Sequence, residues 1–163
     1  MLELTAEQIG EYFKRSYTAV DGLWFMKVEA RFDFETALYI DDEVWKVLPK
    51  IQARMLKSMG DFQTGLEALG ECLAARLSLD GFVFRAEKTS DGDSLKITIS
   101  ECPWHNVMIK SGREHLSARV GNRICNTEYA VWASEFGDEI TFELQEQICD
   151  GSQCCILLFR VSK

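Results

Sequence analysis

The stretch GFVFRAEKTSDGDSLKITISEC, residues 81–102, decides the fold. On both sides of its turn SDGDS, apolar and polar side chains alternate, which is typical of strands with one buried face. The preceding residues, about 1–80, carry apolar side chains at helical spacing. The following part of 81–163 returns to alternating strands after a helical interruption at about 112–136. The pattern predicts an α+β fold, with an N-terminal helical layer packed on an antiparallel sheet of about four strands.

The N-terminal part predicts a series of helices with recognisable ends. Thr5 begins the first helix with the spacing of a capping box. Asp21 is expected to cap a second helix, and Asp61 to cap the helix that carries the cleanest apolar stripe. Pro49 predicts a bend or break near the start of the helix 42–59. Apolar positions on one face of that helix are Val44, Val47, Leu48, Ile51 and Met55.

Length and composition restrict the class of protein. The 163 residues are 47% apolar, and no linker or repeat interrupts them, so residues 1–163 are expected to form one domain. The net charge of −8 argues against a nucleic-acid partner, which requires a basic surface. No run reaches the ~18 apolar residues of a membrane span, and the N-terminus lacks the pattern of a signal peptide. We therefore expect a cytoplasmic protein with no nucleic-acid or membrane partner, in which thiols stay reduced.

Six cysteines are present, and three of them lie in QICDGSQCCILLFRV, residues 147–161. Cys102 ends the second strand and Cys125 lies in the helical interruption, whereas Cys149 and Cys155 flank the turn between the last two strands. Strand ends that meet at one edge of the sheet would bring these four thiols together. Four thiolates suit either Zn²⁺ or an iron–sulfur cluster, and ligand softness does not separate the two. The pattern predicts a metal site at this edge.

Alternative ligands and alternative interpretations of the cluster stay open. Cys154 points to the opposite face of the last strand from its neighbour, and the pattern does not choose between the two. His105, in CPWH, and Glu128, one helical turn after the helical cysteine, have acceptable ligand spacing. Buried neutral thiols and a redox disulfide are the other interpretations. The isolated Cys72 fits best as a small buried hydrophobic side chain.

Short motifs along nearly the whole chain carry a family resemblance. They are DGLWF at 21–25, DDEVW at 41–45, Cys102-Pro103, Cys125, and Cys149 followed by Cys155-x-Leu-x-Phe. Together they resemble an uncharacterised prokaryotic family that is similar to aminothiazoline-carboxylate hydrolases, and the resemblance favours Cys155 over its neighbour. A more distant likeness is to the four-vinyl-reductase sensor domain, which is α+β and dimeric. That domain binds zinc through Cys and Glu residues beside a small-molecule pocket, so the likeness implies a homodimer and a small-molecule ligand.

Three functions are compatible with these features. The favoured one is a metal-binding protein that senses or handles a small molecule or electrons, since no complete catalytic motif is present. The alternative is a hydrolase of a cyclic amidine such as an aminothiazoline carboxylate, with His105, Asp21 or Glu128 moving protons. The third is a partner-binding, dimeric module in which metal only stabilises the fold. In the first two, Asp21, Trp24 and Trp45 would line a ligand pocket between helices and sheet.

Overall fold

A computed structural model describes residues 2–89 and 92–162. The described residues divide into two compact units, one up to Asp41 and one from Asp42 onward. The helices are α1 (Ala6–Arg31), α2 (Phe34–Trp45), α3 (Leu48–Gly60), α4 (Leu66–Asp80), α5 (Pro103–Lys110) and α6 (Glu114–Ser134). The strands are β1 (Val83–Lys88), β2 (Ser94–Glu101), β3 (Ile140–Glu146) and β4 (Cys155–Val161). That the whole chain is a single domain stays a prediction.

Helix α1 is one continuous helix of 26 residues, where the sequence predicted two. The predicted capping box at its start is confirmed, since the Thr5 hydroxyl accepts from the Gln8 amide and the Gln8 side chain accepts from the Thr5 amide. Asp21 lies inside α1, so its prediction as a helix cap is wrong. The helix continues because nothing near Asp21 is incompatible with it: Gly22 costs only about 1 kcal/mol, and no proline follows.

Two helix boundaries in the second unit depend on single residues. Pro49 lies in the first turn of α3, where its missing N–H has no helical partner to lose, so the predicted break is confirmed. Asp61 adopts a left-handed conformation, with φ of 53°, and ends α3. The next helix, α4, begins after Gly65. The prediction that Asp61 caps α4 is therefore wrong.

The four strands form one antiparallel sheet in the order β1-β2-β4-β3. The predicted hairpin is confirmed by the pairing of β1 with β2, although Ser90 and Asp91 of its turn lie outside the described residues. Ile97 is paired with Leu157, and Leu157 with Leu144. Because directly paired residues share a face, these three side chains lie on the same side of the sheet.

The core of the second unit lies between this face of the sheet and α3, α4 and α6. Its largest fully buried side chains include Leu69, Leu73, Leu77, Leu95, Ile97, Trp132, Phe136, Leu157 and Phe159. Cys72 is also buried in this cluster, as expected for a small hydrophobic side chain. The α+β class, with a helical layer on a four-stranded antiparallel sheet, is confirmed. None of the helices in the described part of the chain is long and apolar enough to span a membrane.

The short helix α5 was not predicted from the sequence. It begins after Cys102, with Pro103 in its first turn, where proline is compatible with a helix. It places the ring of Trp104 edge-on against Trp45 at the end of α2, with ring centroids 5.9 Å apart. The sequence carried a signal for it, since an extended residue followed by proline is a common helix start.

Candidate functional site

Four cysteines lie close together where β2, β4 and α6 meet. Cys102 joins β2 to α5, and Cys125 lies in the middle of α6. Cys149 lies in the 3₁₀ turn Ile148–Asp150, and Cys155 is the first residue of β4. The sulfur of Cys125 lies close enough to the other three cysteines that negative charge on any of them would raise its pKa. The structure thus places these four in one neighbourhood.

The two adjacent cysteines at the start of β4 have different surroundings. Cys155 is paired with Ile99, whose side chain is buried in the core, and its sulfur accepts from the Ile148 amide at 3.3 Å. Cys154 precedes the strand, and its sulfur lies 3.7 Å from Oε2 of Glu146. The structure therefore associates Cys155 with the other three cysteines and separates Cys154 from the core face.

Burial makes the clustered thiols poor acids. It raises the pKa of Cys102 to about 11 and that of Cys149 to about 11. It is also the main cause of the raised pKa of Cys155 and of the much larger rise at Cys125. Metal ligation and nucleophilic attack both use the thiolate form. Burial therefore opposes the thiolate form at all four positions.

The two proposed alternative ligands, Glu128 and His105, have different interaction partners. Glu128 is buried and forms an ion pair with Arg76, whose Nη2 lies 2.6 Å from its Oε1. Arg76 also lies 3.1 Å from Asp80. His105 lies in the first turn of α5, where its amide points to the Cys102 sulfur. The sequence analysis did not identify Arg76 as a functional residue. The pattern that could have indicated it is a charged residue within the apolar stripe of α4.

The metal-binding function predicted from the cysteines is wrong. Throughout residues 2–89 and 92–162, no group of three or more His, Cys, Asp or Glu side chains could hold a metal ion. Cysteines can lie close together at the edge of a sheet without forming a metal site, because a metal requires four ligand atoms about 2.0–2.3 Å from one point. The nearby carboxylate of Glu128 is already paired with Arg76.

The three residues predicted to line a pocket lie on two helices. Asp21 and Trp24 are in α1, and Trp45 is the last residue of α2. Burial raises the pKa of Asp21 to about 6, whereas the side chain of Trp24 is 67% exposed. Trp45 is buried against Trp104. The pocket itself stays a prediction.

Helix α3 carries apolar side chains on two opposite faces. Pro49 and Ala53 are buried on the inner face. The opposite face, here called the outer row, is between 50% and 75% exposed and consists of Val47, Ile51, Met55 and Met59. These residues recur every fourth position and form a continuous line along the helix. An exposed apolar row of this kind is typical of a surface that contacts another molecule.

Helix α1 carries a second exposed apolar row, here called the α1 row. It consists of Ile9, Tyr12, Phe13, Val20, Leu23 and Trp24, which are between 42% and 67% exposed. At about 100° per residue these six side chains fall within an arc of about 120°. No residue of α1 is buried. The sequence analysis did not identify the α1 row or the outer row of α3 as exposed.

Comparison with known proteins establishes a family and a fold. The sequence profile of the family of unknown function DUF6125 matches residues 4–153, so this chain belongs to that family. No curated protein matches the chain. A crystal structure of a trafficking protein particle complex subunit 3 from Naegleria fowleri, covalently bound to palmitic acid, is similar with a TM-score of 0.63. The two are 10% identical over 94% of this chain and 97% of that chain, a level at which the likeness shows the fold alone.

These findings also correct the hydrolase alternative. That function required a metal-activated water or a cysteine nucleophile, with protons moved by His105, Asp21 or Glu128. The described residues contain no group that could hold the metal, and the fold is similar to that of a trafficking protein particle complex subunit. The resemblance to aminothiazoline-carboxylate hydrolases and to four-vinyl-reductase sensor domains stays a prediction.

Proposed function

We propose that this member of the DUF6125 family is an assembly subunit that binds another protein chain through the outer row of α3. The observation that carries the proposal is the exposure of four large apolar side chains on the side of α3 that faces away from the core. The likeness to a protein that is itself a subunit of a complex supports it.

The outer row offers enough apolar surface to contribute to binding. Its four side chains, Val47, Ile51, Met55 and Met59, are each half or more exposed. Full burial of such a side chain contributes about 1.5–3 kcal/mol, so covering the row would contribute on the order of 4 kcal/mol. This is a gross contribution, since association also costs translational and side-chain freedom.

The charged side chains of α3 hold the outer row in a fixed position. Arg54 makes two 2.8 Å hydrogen bonds to the Glu135 carboxylate at the end of α6. Lys57 donates to the Glu135 carbonyl at 2.6 Å and lies 4.9 Å from the centre of the Phe136 ring. A surface that is rigid before binding loses less freedom on association, which favours recognition by the outer row.

The palmitic acid bound by the Naegleria fowleri protein is not part of the proposal for this chain. A cysteine would have to ionise to accept an acyl group readily. Burial is the main cause of a raised pKa at every cysteine, namely Cys72, Cys102, Cys125, Cys149, Cys154 and Cys155. Protein binding therefore has the stronger support.

The test uses the double variant Ile51→Glu/Met55→Glu, which places two charges in the outer row. The tagged full chain is isolated from its own cells, any stoichiometric protein partner is identified and purified, and its dissociation constant is measured by calorimetry. We expect the double variant to weaken binding about 100-fold or more, because charges must be desolvated at the interface.

The matched control is Leu79→Glu, which places a charge at another exposed apolar position, near the end of α4. It should bind like the wild type, and circular dichroism should show both variants folded. The proposal fails if the wild type carries no stoichiometric protein partner, or if Ile51→Glu/Met55→Glu binds that partner as tightly as Leu79→Glu does.

A further inference from the structure

The exposed apolar side chains of α1 have the spacing of a helix-pairing seam. The seam contains four exposed apolar residues, Ile9, Phe13, Val20 and Leu23, and the half-buried, polar Ser16 between them, and its members lie four, three, four and three residues apart. This alternation of threes and fours keeps one line of side chains facing a partner helix. Tyr12 and Trp24, both more than 60% exposed, flank the seam on its two sides. The sequence of α1 thus has the pattern of a paired helix.

In an antiparallel pair of α1 helices with the two copies of Thr18 at the same level, the two seams face each other. Thr18 lies at the middle of the helix Ala6–Arg31, so the pair uses its full length. In this register Phe13 of one copy faces Leu23 of the other, and Val20 faces Ser16. At each end of the pair Ile9 faces Lys27, whose aliphatic stem covers it while the charge stays in water. No layer therefore brings two aromatic rings together in the seam.

The flanks of the seam fit the same register. Trp24 of one copy lies beside Gly10 of the other, and a side chain at Gly10 would meet nothing within 4 Å, so this position is open. The indole of Trp24 needs such space, and a glycine provides it. An antiparallel pair thus accommodates the largest exposed side chain of α1.

The helix dipoles of α1 favour the antiparallel direction, because each N-terminus then lies near the C-terminus of the other copy. The side-chain charges do not distinguish the two directions, since the acidic and basic residues balance in each half of the helix.

The area of the α1 row is sufficient for a small, stable interface. Its three aromatic side chains are about two-thirds exposed, and at roughly 150–250 Å² each they present on the order of 400 Å² per copy. With the aliphatic side chains, two copies would bury on the order of 1,200 Å², the lower end of the range of about 1,200–2,000 Å² for specific interfaces.

We infer that α1 is the dimerisation element of this protein and pairs in antiparallel orientation with α1 of a second copy of the chain. The inference names one partner for the proposed assembly role. The dimer inference rests on α1, whereas the proposed function rests on the outer row of α3, so each can be wrong while the other is right.

The first experiment measures the mass of the full chain by sedimentation equilibrium over a range of concentrations. We expect a wild-type dimer, and a dissociation constant raised about 100-fold or more in Phe13→Glu/Leu23→Glu. The control is Ile51→Glu/Met55→Glu, which leaves α1 intact and should dimerise like the wild type. A wild type that is monomeric throughout, or a Phe13→Glu/Leu23→Glu variant that still dimerises, overturns the inference.

A second experiment tests orientation with a single substitution at the end of the seam. A photoreactive phenylalanine analogue at position 9 is irradiated in the dimer, and the cross-linked peptides are identified by mass spectrometry. The antiparallel pair predicts cross-links to the segment around Lys27 of the other copy. Cross-links to the segment around position 9 would show a parallel pair, and dimers without cross-links through α1 would place the interface elsewhere; either result overturns the inference.

Discussion

Asp42 Oδ2 lies 2.6 Å from Nη2 of Arg123, and this contact joins two helical segments of the second unit. Thr127 donates to the other carboxylate oxygen, and Lys46 lies 3.1 Å away. Burial alone would raise the pKa of Asp42, but the hydrogen bonds from Arg123, Thr127 and Lys46 outweigh it and lower the pKa to about 2. A fully buried carboxylate is thus held in its charged form by three partners.

Replacing this carboxylate should destabilise the protein in a pH-dependent way. The folded pKa of Asp42 is lower than the ordinary value of 3.8, so its contribution is present above about pH 4 and is lost as the pH falls towards 2. Asp42→Asn should lower the free energy of unfolding at pH 7 by about 2 kcal/mol. Urea denaturation at pH 7 and at pH 2.5 measures this, with exposed Glu3→Gln as the control. A loss of equal size at both pH values would contradict it.

The buried Arg76–Glu128 pair predicts strong coupling between its members. Glu128→Leu removes the 2.6 Å partner of Arg76 and leaves Asp80 at 3.1 Å, which should lower the free energy of unfolding by about 3 kcal/mol. The double variant Arg76→Met/Glu128→Leu removes both charges and should be less destabilised than Glu128→Leu alone. Chemical denaturation of the two single variants and the double variant gives the coupling. Additive losses would mean that the pair does not act as a unit.

Gly121 is required because Cys149 packs against the backbone of α6. A Cβ at Gly121 would collide with the Cys149 sulfur and lie 3.5 Å from Nε2 of Gln147. Gly121→Ala should therefore destabilise the protein by about 1–3 kcal/mol, although alanine is the better helix former.

The matched test of this contact is the same substitution in a Cys149→Ala background. With the sulfur removed, Gly121→Ala should be neutral or stabilising by up to about 1 kcal/mol. Thermal unfolding of the four proteins completes the cycle. If Gly121→Ala lowers the stability equally in both backgrounds, the Cys149 sulfur does not limit the side chain at position 121.

Asp21 should make stability fall as the pH rises. Burial raises its folded pKa to about 6 from 3.8, so the folded state takes up a proton in this interval and the charged form is disfavoured. Its stabilising effect is full below about pH 4 and is lost as the pH rises through 6. Asp21→Asn should raise the free energy of unfolding at pH 7.5 by about 2–3 kcal/mol and change it little at pH 4. Melting temperatures from pH 4 to 8 measure this; a variant less stable than wild type at pH 7.5 would refute it.

The main elements of the fold were predictable because their patterns are long. The stripe Leu66, Leu69, Leu73 and Leu77 in α4 and the alternation Leu95, Ile97 and Ile99 in β2 each specify one buried face, and the core uses both. Helix ends were less predictable, since an aspartate suits both a cap and a surface position. Asp21 and Asp61 were assigned as caps, whereas one lies inside α1 and the other at the end of α3.

The candidate site was less predictable than the fold. The positions of the cysteines along the chain indicate which strand ends carry them, but burial decides whether a thiol ionises. Cys102 and Cys149 have a pKa of about 11 because they are desolvated, and Arg76, distant in sequence, pairs with Glu128. Desolvation and long-range pairing exist only once the chain has folded, so spacing alone pointed to a metal that the structure does not accommodate.

The sequence by itself determined the helical and strand periods, the capping box at Thr5, the break at Pro49 and the alternating strands of the sheet. It also indicated an apolar face on α3 that includes Ile51 and Met55. Only the tertiary structure decided which side of α3 is covered. Small Ala53 faces the core, where helices approach closely, and the larger Ile51 and Met55 are left exposed on the opposite side. The spacing of apolar residues is a local property of the sequence, whereas the face that becomes buried depends on which side chains allow neighbouring elements to pack.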